Sequence, residues 1–304
     1  MKRLVLILML AVLITGGCQT QAPVQAQATN TPTEISTDAS VKESSPQRII
    51  SLSPPLTEML FAVGAGGQLV GRDSYSDFPE EAKSIADVGW TYGKYNMETV
   101  VNLKPDLVLA GEITTPEMVA SLENMGLRVE YFKNPVTLSD VYVMLARIGQ
   151  LSGKTNQADR LVKDLQEREL ELVNKLSKIS DQPVVFYELD ASDPSKPYTP
   201  GPGTLYSHLI SMAGGWNLGD QLGTTWAQIS LEQLLVDDPD FILLGDSAYG
   251  ITPESVAQRA GWQTLTAVKE GRVLPFDDNL LLRYGPRILD GLEALARILH
   301  PELF

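Results

Sequence analysis

The chain has 304 residues, a single cysteine and a formal charge of −14 at pH 7. This acidity disfavours nucleic acid or an anionic membrane surface as the main partner, because both repel carboxylates. One cysteine also excludes a disulfide within the chain.

The N-terminus carries an export signal. Lys2 and Arg3 precede an uncharged apolar run over residues 4–14, and Cys18 follows shortly after it. The run is shorter than the roughly 20 apolar residues of a membrane span, so residues 1–17 are predicted to be a signal peptide. We expect Cys18 to be lipidated once the signal is removed, although Thr15 departs from the leucine usual at that position. An unmodified leftover cysteine is the alternative.

Residues 18–47 are predicted to form the lipidated N-terminus and a flexible tether. They consist mainly of Thr, Gln, Ala, Ser and Pro and have too few large apolar side chains to form a core. The remaining length suits two domains of common size.

The pattern of residues 48–152 predicts an α/β lobe. Apolar strands at 48–52, 106–110 and 128–132 alternate with helical spacing at 56–64 and 117–125. Strands that alternate with helices pair in parallel, so this lobe is predicted to be doubly wound.

Residues 153–181 are predicted to form a connecting helix, centred on a helical pattern from Asn156 to about Ser180. Opposite charges four residues apart, among them Asp159 with Lys163 and Asp164 with Arg168, support it. Residues 182–304 then repeat the alternation. The predicted fold class is therefore α/β, with two doubly wound lobes joined by one long helix and a ligand cleft between the lobes.

An internal repeat supports this organisation. Residues 98–111 align without a gap on residues 232–245, and each segment contains a short helix, a Pro-Asp turn and a buried strand. Both lobes therefore contain the same unit.

The sequence shows no convincing catalytic or metal-binding motif, and no cofactor is expected. The two histidines, His208 and His300, are interpreted as partly exposed helical residues, and the glycine clusters lack nucleotide-binding spacing. Asp277 and Asp278 are the kind of carboxylate pair that performs acid-base chemistry, so a cell-surface enzyme stays an alternative. A structural adhesin or sensor partner without a small-molecule ligand is another.

Large aromatic residues in loops are the strongest functional signal. They occur two per lobe, at Tyr75, Trp90, Tyr198 and Trp226, in segments that border strand ends. Ligands of open α/β sheets bind at the carboxyl ends of strands, so the four together favour an aromatic-walled cleft. The alternative is that each ring packs on its own lobe.

Several motifs carry a family resemblance. Residues 48–61 (RIISLSPPLTEMLF), 74–79 (SYSDFP), 103–108 (LKPDLV) and 285–288 (GPRI) resemble the periplasmic cobalamin-binding protein family. This family lies within the class of iron-siderophore, haem and cobalamin binding proteins of ABC importers, which have two lobes joined by one long helix. The resemblance implies a monomeric protein that captures a corrinoid and delivers it to a permease. It also implies one of two locations: the outer face of the cytoplasmic membrane, with a lipid anchor as the only membrane association, or the periplasm.

The resemblance assigns ligand contact to six positions: Tyr75, Trp90, Tyr198, Trp226, Asp278 and Arg283. The match at Trp90 needs about two extra residues here. The match at Asp278 needs one inserted residue, without which Asn279 takes the position. A siderophore or haem would also accept aromatic walls, and Tyr75 is a suitable axial ligand for haem, so both ligands stay alternatives.

The resemblance also implies that Glu98 and Glu232 dock the protein onto the permease. Asn96 and Ser230 look like helix N-caps, however, and a glutamate two residues later favourably meets the helix dipole without any partner. Both interpretations fit the equal spacing in the two lobes.

Overall fold

The computed structural model describes residues 45–90 and 94–304. The predicted signal peptide, Cys18 and most of the predicted tether lie outside these residues. Among those described, no helix is both long enough and apolar enough to cross a bilayer.

The first lobe is built on a parallel sheet of four strands, β1 (Ile49–Ser51), β2 (Leu69–Arg72), β3 (Leu107–Ala110) and β4 (Val129–Tyr131), in the order β2-β1-β3-β4. Its helices are α1 (Pro54–Ala62), α2 (Met97–Asn102), α3 (Pro116–Asn124) and α4 (Leu138–Ser152). Thr137 and Asp140 form a capping box at the start of α4, and Gly153 ends the helix with φ of 72°.

One long helix, α5 (Thr155–Leu176), follows the first lobe. Its 22 residues span about 33 Å. It packs against α4 on one side and against the C-terminal helix on the other, and Tyr142 of α4 donates a hydrogen bond to Glu169 at 2.8 Å. Lys163 pairs with Glu167, and Arg168 pairs with Asp290 of the second lobe, so the predicted i,i+4 partners of these two cations are wrong.

The second lobe contains β5 (Val184–Glu188), β6 (Tyr198–Pro200), α6 (Leu205–Met212), β7 (Trp216–Asn217), β8 (Trp226–Gln228), α7 (Leu231–Asp237) and β9 (Phe241–Leu244). It continues with α8 (Pro253–Ala257), α9 (Thr266–Lys269), β10 (Val273–Pro275), α10 (Asn279–Leu282) and α11 (Ile288–Leu299). Its main sheet is parallel, in the order β10-β9-β5-β7, while β6 and β8 form a separate antiparallel pair.

The two main sheets share one topology. When the four strands of each main sheet are taken in chain order, the second strand lies on one side of the first, and the third and fourth strands lie on the other. The sequence repeat maps α2 and β3 onto α7 and β9, and the turn between helix and strand contains Lys104 (φ 45°) in one copy and Asp238 (φ 41°) in the other. The repeated segments therefore share even an uncommon left-handed backbone residue. The fold is α/β with two lobes, as predicted.

A buried ion pair lies on the sheet of the second lobe. Glu188 at the end of β5 has no exposed surface, and Arg259 donates to both of its oxygens at 2.5 and 2.8 Å. The same guanidinium lies 4.6 Å from the ring centre of Trp262. Asp246, which follows neighbouring β9, is also buried, and burial together with the charge of Glu188 raises its pKa to about 7.

Replacing Arg259 by methionine is expected to lower the free energy of unfolding by about 3–5 kcal/mol, because the buried Glu188 carboxylate loses its counter-ion. The measurement is urea denaturation. The matched control is Lys163→Met, which breaks an exposed pair on α5 and is expected to cost about 0.5 kcal/mol or less. Equal losses in the two variants would contradict the structural role of the Arg259 pair.

Asp246 should make stability depend on pH. An unfolded aspartate releases its proton near pH 4, whereas the folded one holds it to about pH 7. The contribution of Asp246 to the free energy of unfolding therefore falls as the pH rises from about 4 to 7. The side chain of the Asp246→Asn variant is neutral at every pH. The melting temperature of the variant should therefore exceed that of the unmodified protein by more at pH 8 than at pH 5. The same difference at both pH values would refute this assignment.

Candidate functional site

A cleft lies where the carboxyl ends of the two sheets meet. A cavity of about 270 Å³ is lined there by residues of both lobes, namely Glu112, Asn134, Pro135, Val136, Gly203, Thr204, Leu205, Tyr206, Thr225, Trp226, Leu281 and Leu282. Glu112 follows β3, and Asn134 follows β4. The position matches the usual ligand site of open α/β sheets.

The antiparallel pair β6–β8 presents aromatic rings on one face. Tyr198 lies opposite Gln228 and Pro200 opposite Trp226, so Tyr198 and Trp226 share a face, while Thr199 and Ala227 are buried on the other. Tyr198 is 42% exposed and Trp226 is 54% exposed. A side chain at Gly201 would overlap the Thr224 carbonyl, so the turn after β6 requires glycine.

Behind Trp226, a carboxylate holds two tyrosines. The ring of Tyr206 packs edge-on against Trp226, with ring centres 6.1 Å apart. The hydroxyls of Tyr206 and Tyr187 both donate to Asp278 Oδ1 at 2.8 Å. Burial raises the pKa of Asp278, and the two tyrosine hydrogen bonds act in the opposite direction. Asp278 therefore supports the aromatic wall through Tyr206, whatever contact it makes with a ligand.

In the first lobe, Tyr75 lies on a turn that buried polar side chains hold in place. Asp73, which is buried, accepts hydrogen bonds from the Tyr75 backbone N–H at 2.9 Å and from the Ser76 hydroxyl. Thr57 of α1 contacts the same Ser76 hydroxyl at 2.9 Å. The ring of Tyr75 is 58% exposed, and the turn that carries it is held by buried polar contacts.

Trp90 packs on its own lobe. Its ring centre lies 5.0 Å from that of Tyr95, and the side chain joins the apolar cluster around β3 as a partly buried member. For Trp90 the structure thus shows the local packing that the sequence offered as the alternative. Residues 91–93, which follow it, are outside the described part of the chain.

The segment after α10 contacts the first lobe through ion pairs and hydrogen bonds. Arg283 pairs with Asp77 and lies 3.7 Å from Glu58, and the Tyr284 hydroxyl donates to Asn134 at 2.8 Å. Arg287 donates to both oxygens of Glu58, at 2.7 and 3.0 Å. We call residues 283–287, together with Glu58, Asp77 and Asn134, the interlobe clasp. Arg283, a predicted ligand contact, is thus an ion-pair partner of the opposite lobe in this structure.

The cleft gathers the predicted ligand residues unevenly. Trp226 lines the cavity. Asp278 accepts a hydrogen bond from the lining residue Tyr206, and Arg283 directly follows the lining residue Leu282 in the chain. Tyr75, Trp90 and Tyr198 are not among its lining residues.

No sequence pattern indicates Tyr206, Asn134 or Leu282 as lining residues. Tyr206 lies inside a helix, and Asn134 and Leu282 come together with it only through the docking of the lobes. The predicted loop aromatics are thus one part of a wall whose remaining part depends on tertiary structure.

Other surface depressions are larger than this cavity. Two, of about 690 and 580 Å³, flank residues 177–183 at the amino end of β5, away from the carboxyl ends where the cleft is found. A third, of about 460 Å³, is lined only by first-lobe residues between 130 and 147. We assign the site to the smaller cavity because both lobes and the exposed aromatic face converge on it.

Glu98 and Glu232 occupy matching positions on α2 and α7. Asn96 accepts from the Thr99 N–H and Ser230 from the Gln233 N–H, so both residues are N-caps as predicted. Each glutamate is exposed in the first turn of its helix, and no ion pair joins either to another described residue. Both carboxylates are therefore accessible to a partner.

The two histidines differ in their surroundings. The described residues contain no cluster of three or more His, Cys, Asp or Glu side chains suited to a metal ion. His208 is half-buried, and burial lowers its pKa. His300 is buried against the Gly214 carbonyl at 3.2 Å, so the prediction that it is partly exposed is wrong.

Comparison with known proteins agrees with this architecture. A family model described as a periplasmic binding protein matches residues 49–280, which is more than half of the chain. An uncharacterized ABC transporter substrate-binding lipoprotein of Bacillus subtilis is 31% identical over 98% of this chain and 96% of its own length. A vitamin B12-binding protein of Pectobacterium atrosepticum is 32% identical over 80% of this chain and 85% of its own.

A solved structure shows the same fold. The periplasmic heme-binding protein RhuT from Roseiflexus superposes with a TM-score of 0.76 and 25% identity, covering 85% of this chain and 99% of that one. The residues that the family model matches run from β1 to the start of α10, and they include both sheets and all of the cavity-lining residues except Leu281 and Leu282. The chain therefore belongs to the periplasmic binding protein family.

Proposed function

We propose that this protein is the substrate-binding component of an ABC importer and that it captures cobalamin or a related corrinoid in the cleft. The observation that carries the proposal is the exposed aromatic face of β6–β8, which borders a cavity shared by both lobes. A corrin ring offers a wide, mostly apolar face, which suits aromatic walls with a few polar groups at the edge.

Charge favours a corrinoid over haem or an anionic siderophore complex. Both arginines of the clasp are already paired with carboxylates of the first lobe, Arg283 with Asp77 and Arg287 with Glu58. Glu112 adds a further acidic group to the cavity lining. Cyanocobalamin is neutral overall and needs no counter-ion, whereas the propionates of haem do. The relative named for vitamin B12 is also more similar in sequence than the haem-binding neighbour.

Haem is the second candidate ligand because of Tyr75. Its ring is 58% exposed on a turn that Asp73 fixes, and a phenolate oxygen is an axial ligand of haem iron in some proteins. The solved haem-binding neighbour supports this candidate by its fold. A siderophore carrier would use the same aromatic face.

Binding without chemistry fits the groups in the cleft. Asp278, one of the two carboxylates proposed for acid-base work, is occupied by two tyrosine hydroxyls. Asp277 is exposed and accepts from the backbone and side-chain nitrogens of Asn279. We infer that neither performs catalysis.

In this proposal the protein is anchored outside the cytoplasmic membrane and docks onto a permease. A signal peptide at residues 1–17 and lipidation of Cys18 would tether a monomeric protein outside the cytoplasmic membrane through residues 18–47. Lobes at 48–152 and 182–304, joined by residues 153–181, would present Glu98 and Glu232 to the permease. Their exposed carboxylates support docking onto cationic side chains.

Titration of the protein lacking residues 1–18 with cyanocobalamin tests the ligand. Calorimetry should show saturable one-to-one binding, and Trp226→Ala should raise the dissociation constant about tenfold or more, because the substitution removes a large ring from the cleft wall. The matched control is Trp216→Ala, since Trp216 is a similarly exposed tryptophan at the amino end of β7, at the opposite end of the sheet from the cleft. Its dissociation constant should change less than about twofold. Tight binding of haemin with no binding of cyanocobalamin would contradict the proposed ligand.

Docking is tested by uptake of labelled cyanocobalamin into cells that lack the native gene and carry a full-length variant. Glu98→Ala with Glu232→Ala should abolish uptake while ligand affinity stays intact, because the lost charges face the permease and not the cleft. The double variant Glu117→Ala with Glu254→Ala is the control. These two glutamates sit at the same helix position, two residues after capping Thr115 and Thr252, one in each lobe.

The control separates docking from helix stability, because both pairs lose the same helix-dipole interaction. We expect the control variant to keep uptake. Equal loss of uptake in the two double variants would refute the docking role, and so would a parallel loss of ligand affinity in the Glu98 and Glu232 variant.

A further inference from the structure

The interlobe clasp contains two arginines whose charges are both met by carboxylates. Arg287 bonds Glu58 through two hydrogen bonds, and Arg283 lies between Glu58 and Asp77. The Glu58 side chain is only 2% exposed, so its carboxylate is part of the structural contact between the lobes. Removing it would leave both arginines without a buried partner.

Asp77 differs from Glu58 in its position. Its side chain is 53% exposed, and it lies two residues after Tyr75 on the turn that Asp73 fixes. Partial burial acts to raise the pKa of Asp77, but the hydrogen bond and charge of Arg283 outweigh it and hold this pKa below its usual value. Asp77 is therefore ionised at neutral pH and stands at the solvent side of Arg283.

We propose that Asp77 determines the charge preference of the cleft: by neutralising Arg283, it allows a neutral corrinoid to bind and rejects flat ring ligands that carry ionised carboxylates. This inference rests on the proposed function and concerns the same site. It makes Asp77 a specificity-determining residue, although it was not among the residues expected to contact the ligand.

The discrimination is electrostatic. The clasp contributes two positive charges and two negative charges. Glu112 in the cavity lining adds negative charge, and so does exposed Asp277, whose charge acts on Arg287. A ligand carboxylate that pairs with Arg283 must displace Asp77. It is also repelled by the other acidic side chains nearby. A neutral ligand avoids both penalties, because it needs no counter-ion and leaves the Asp77–Arg283 pair unbroken.

Asp77→Asn tests the inference, because asparagine keeps the shape of the side chain and removes its charge. Dissociation constants for haemin, the anionic probe, and for cyanocobalamin, the neutral probe, are measured at low and at physiological salt. We expect the haemin affinity to rise about tenfold at low salt and less at physiological salt, since Arg283 and Arg287 then share the single carboxylate of Glu58 and the net positive charge attracts a ligand carboxylate. The cyanocobalamin affinity should change less than about threefold.

Asp277→Asn is the matched control, since it removes one negative charge near the cleft and leaves Arg283 paired with Asp77. Its effect on haemin affinity should stay below about threefold. An unchanged haemin affinity in Asp77→Asn, an equal gain in Asp277→Asn, or an equal loss for both ligands would overturn the inference.

The proposed function and the charge-preference inference can fail independently of each other. If the unmodified protein does not bind cyanocobalamin, the corrinoid assignment is wrong whatever Asp77→Asn does. If the unmodified protein binds cyanocobalamin but binds haemin more tightly, the assignment of the cleft to corrinoids survives and the charge-preference inference is overturned.

Discussion

A carboxylate of the first lobe, Glu58, is buried and held by guanidinium groups of the second lobe, and the geometry of the cleft depends on this contact. A buried carboxylate without partners is strongly unfavourable, so the segment that carries Arg287 must dock against α1. Docking brings Tyr284 to Asn134 and Arg283 to Asp77. The lobes therefore meet in one defined arrangement, in which the aromatic face of β6–β8 borders a cavity closed by the first lobe.

The repeated topology explains why both lobes contribute similar groups. Each sheet has the same strand order, and α2–β3 repeats as α7–β9, including the left-handed residue at Lys104 and at Asp238. This repeat places one exposed glutamate in the first turn of a helix in each lobe. A partner with two similar halves would meet both at once, which is the geometry that the docking proposal requires.

Much of the fold was predictable from local pattern. The predicted strand at 106–110 and the predicted helix at 117–125 differ from β3 and α3 by no more than one residue at either end, because apolar runs and helical spacing are local signals. The pair β6–β8 was not predicted as strands. Each is three residues long, β6 ends in a proline, and the pairing joins segments far apart in the sequence. Such strands have no periodicity that a sequence window detects.

The site was predictable only in part, for a related reason. The aromatic residues Tyr75, Tyr198 and Trp226 are visible in sequence, and all three are exposed in the structure. The partners of Arg283 and Asp278 lie far away in the chain, so their ion pairs and hydrogen bonds left no local trace. For the same reason Arg168 pairs with Asp290 and not with the acid four residues before it.

The most direct measurement of the central claim is a crystal structure of the protein with cyanocobalamin. We predict that the corrin lies between the lobes, with its edge or face roughly 4 Å from the Trp226 ring, and that Arg283 is still paired with Asp77. A ligand bound at the depressions around residues 177–183, or a corrin that occupies the cleft without contact to Trp226, would contradict it.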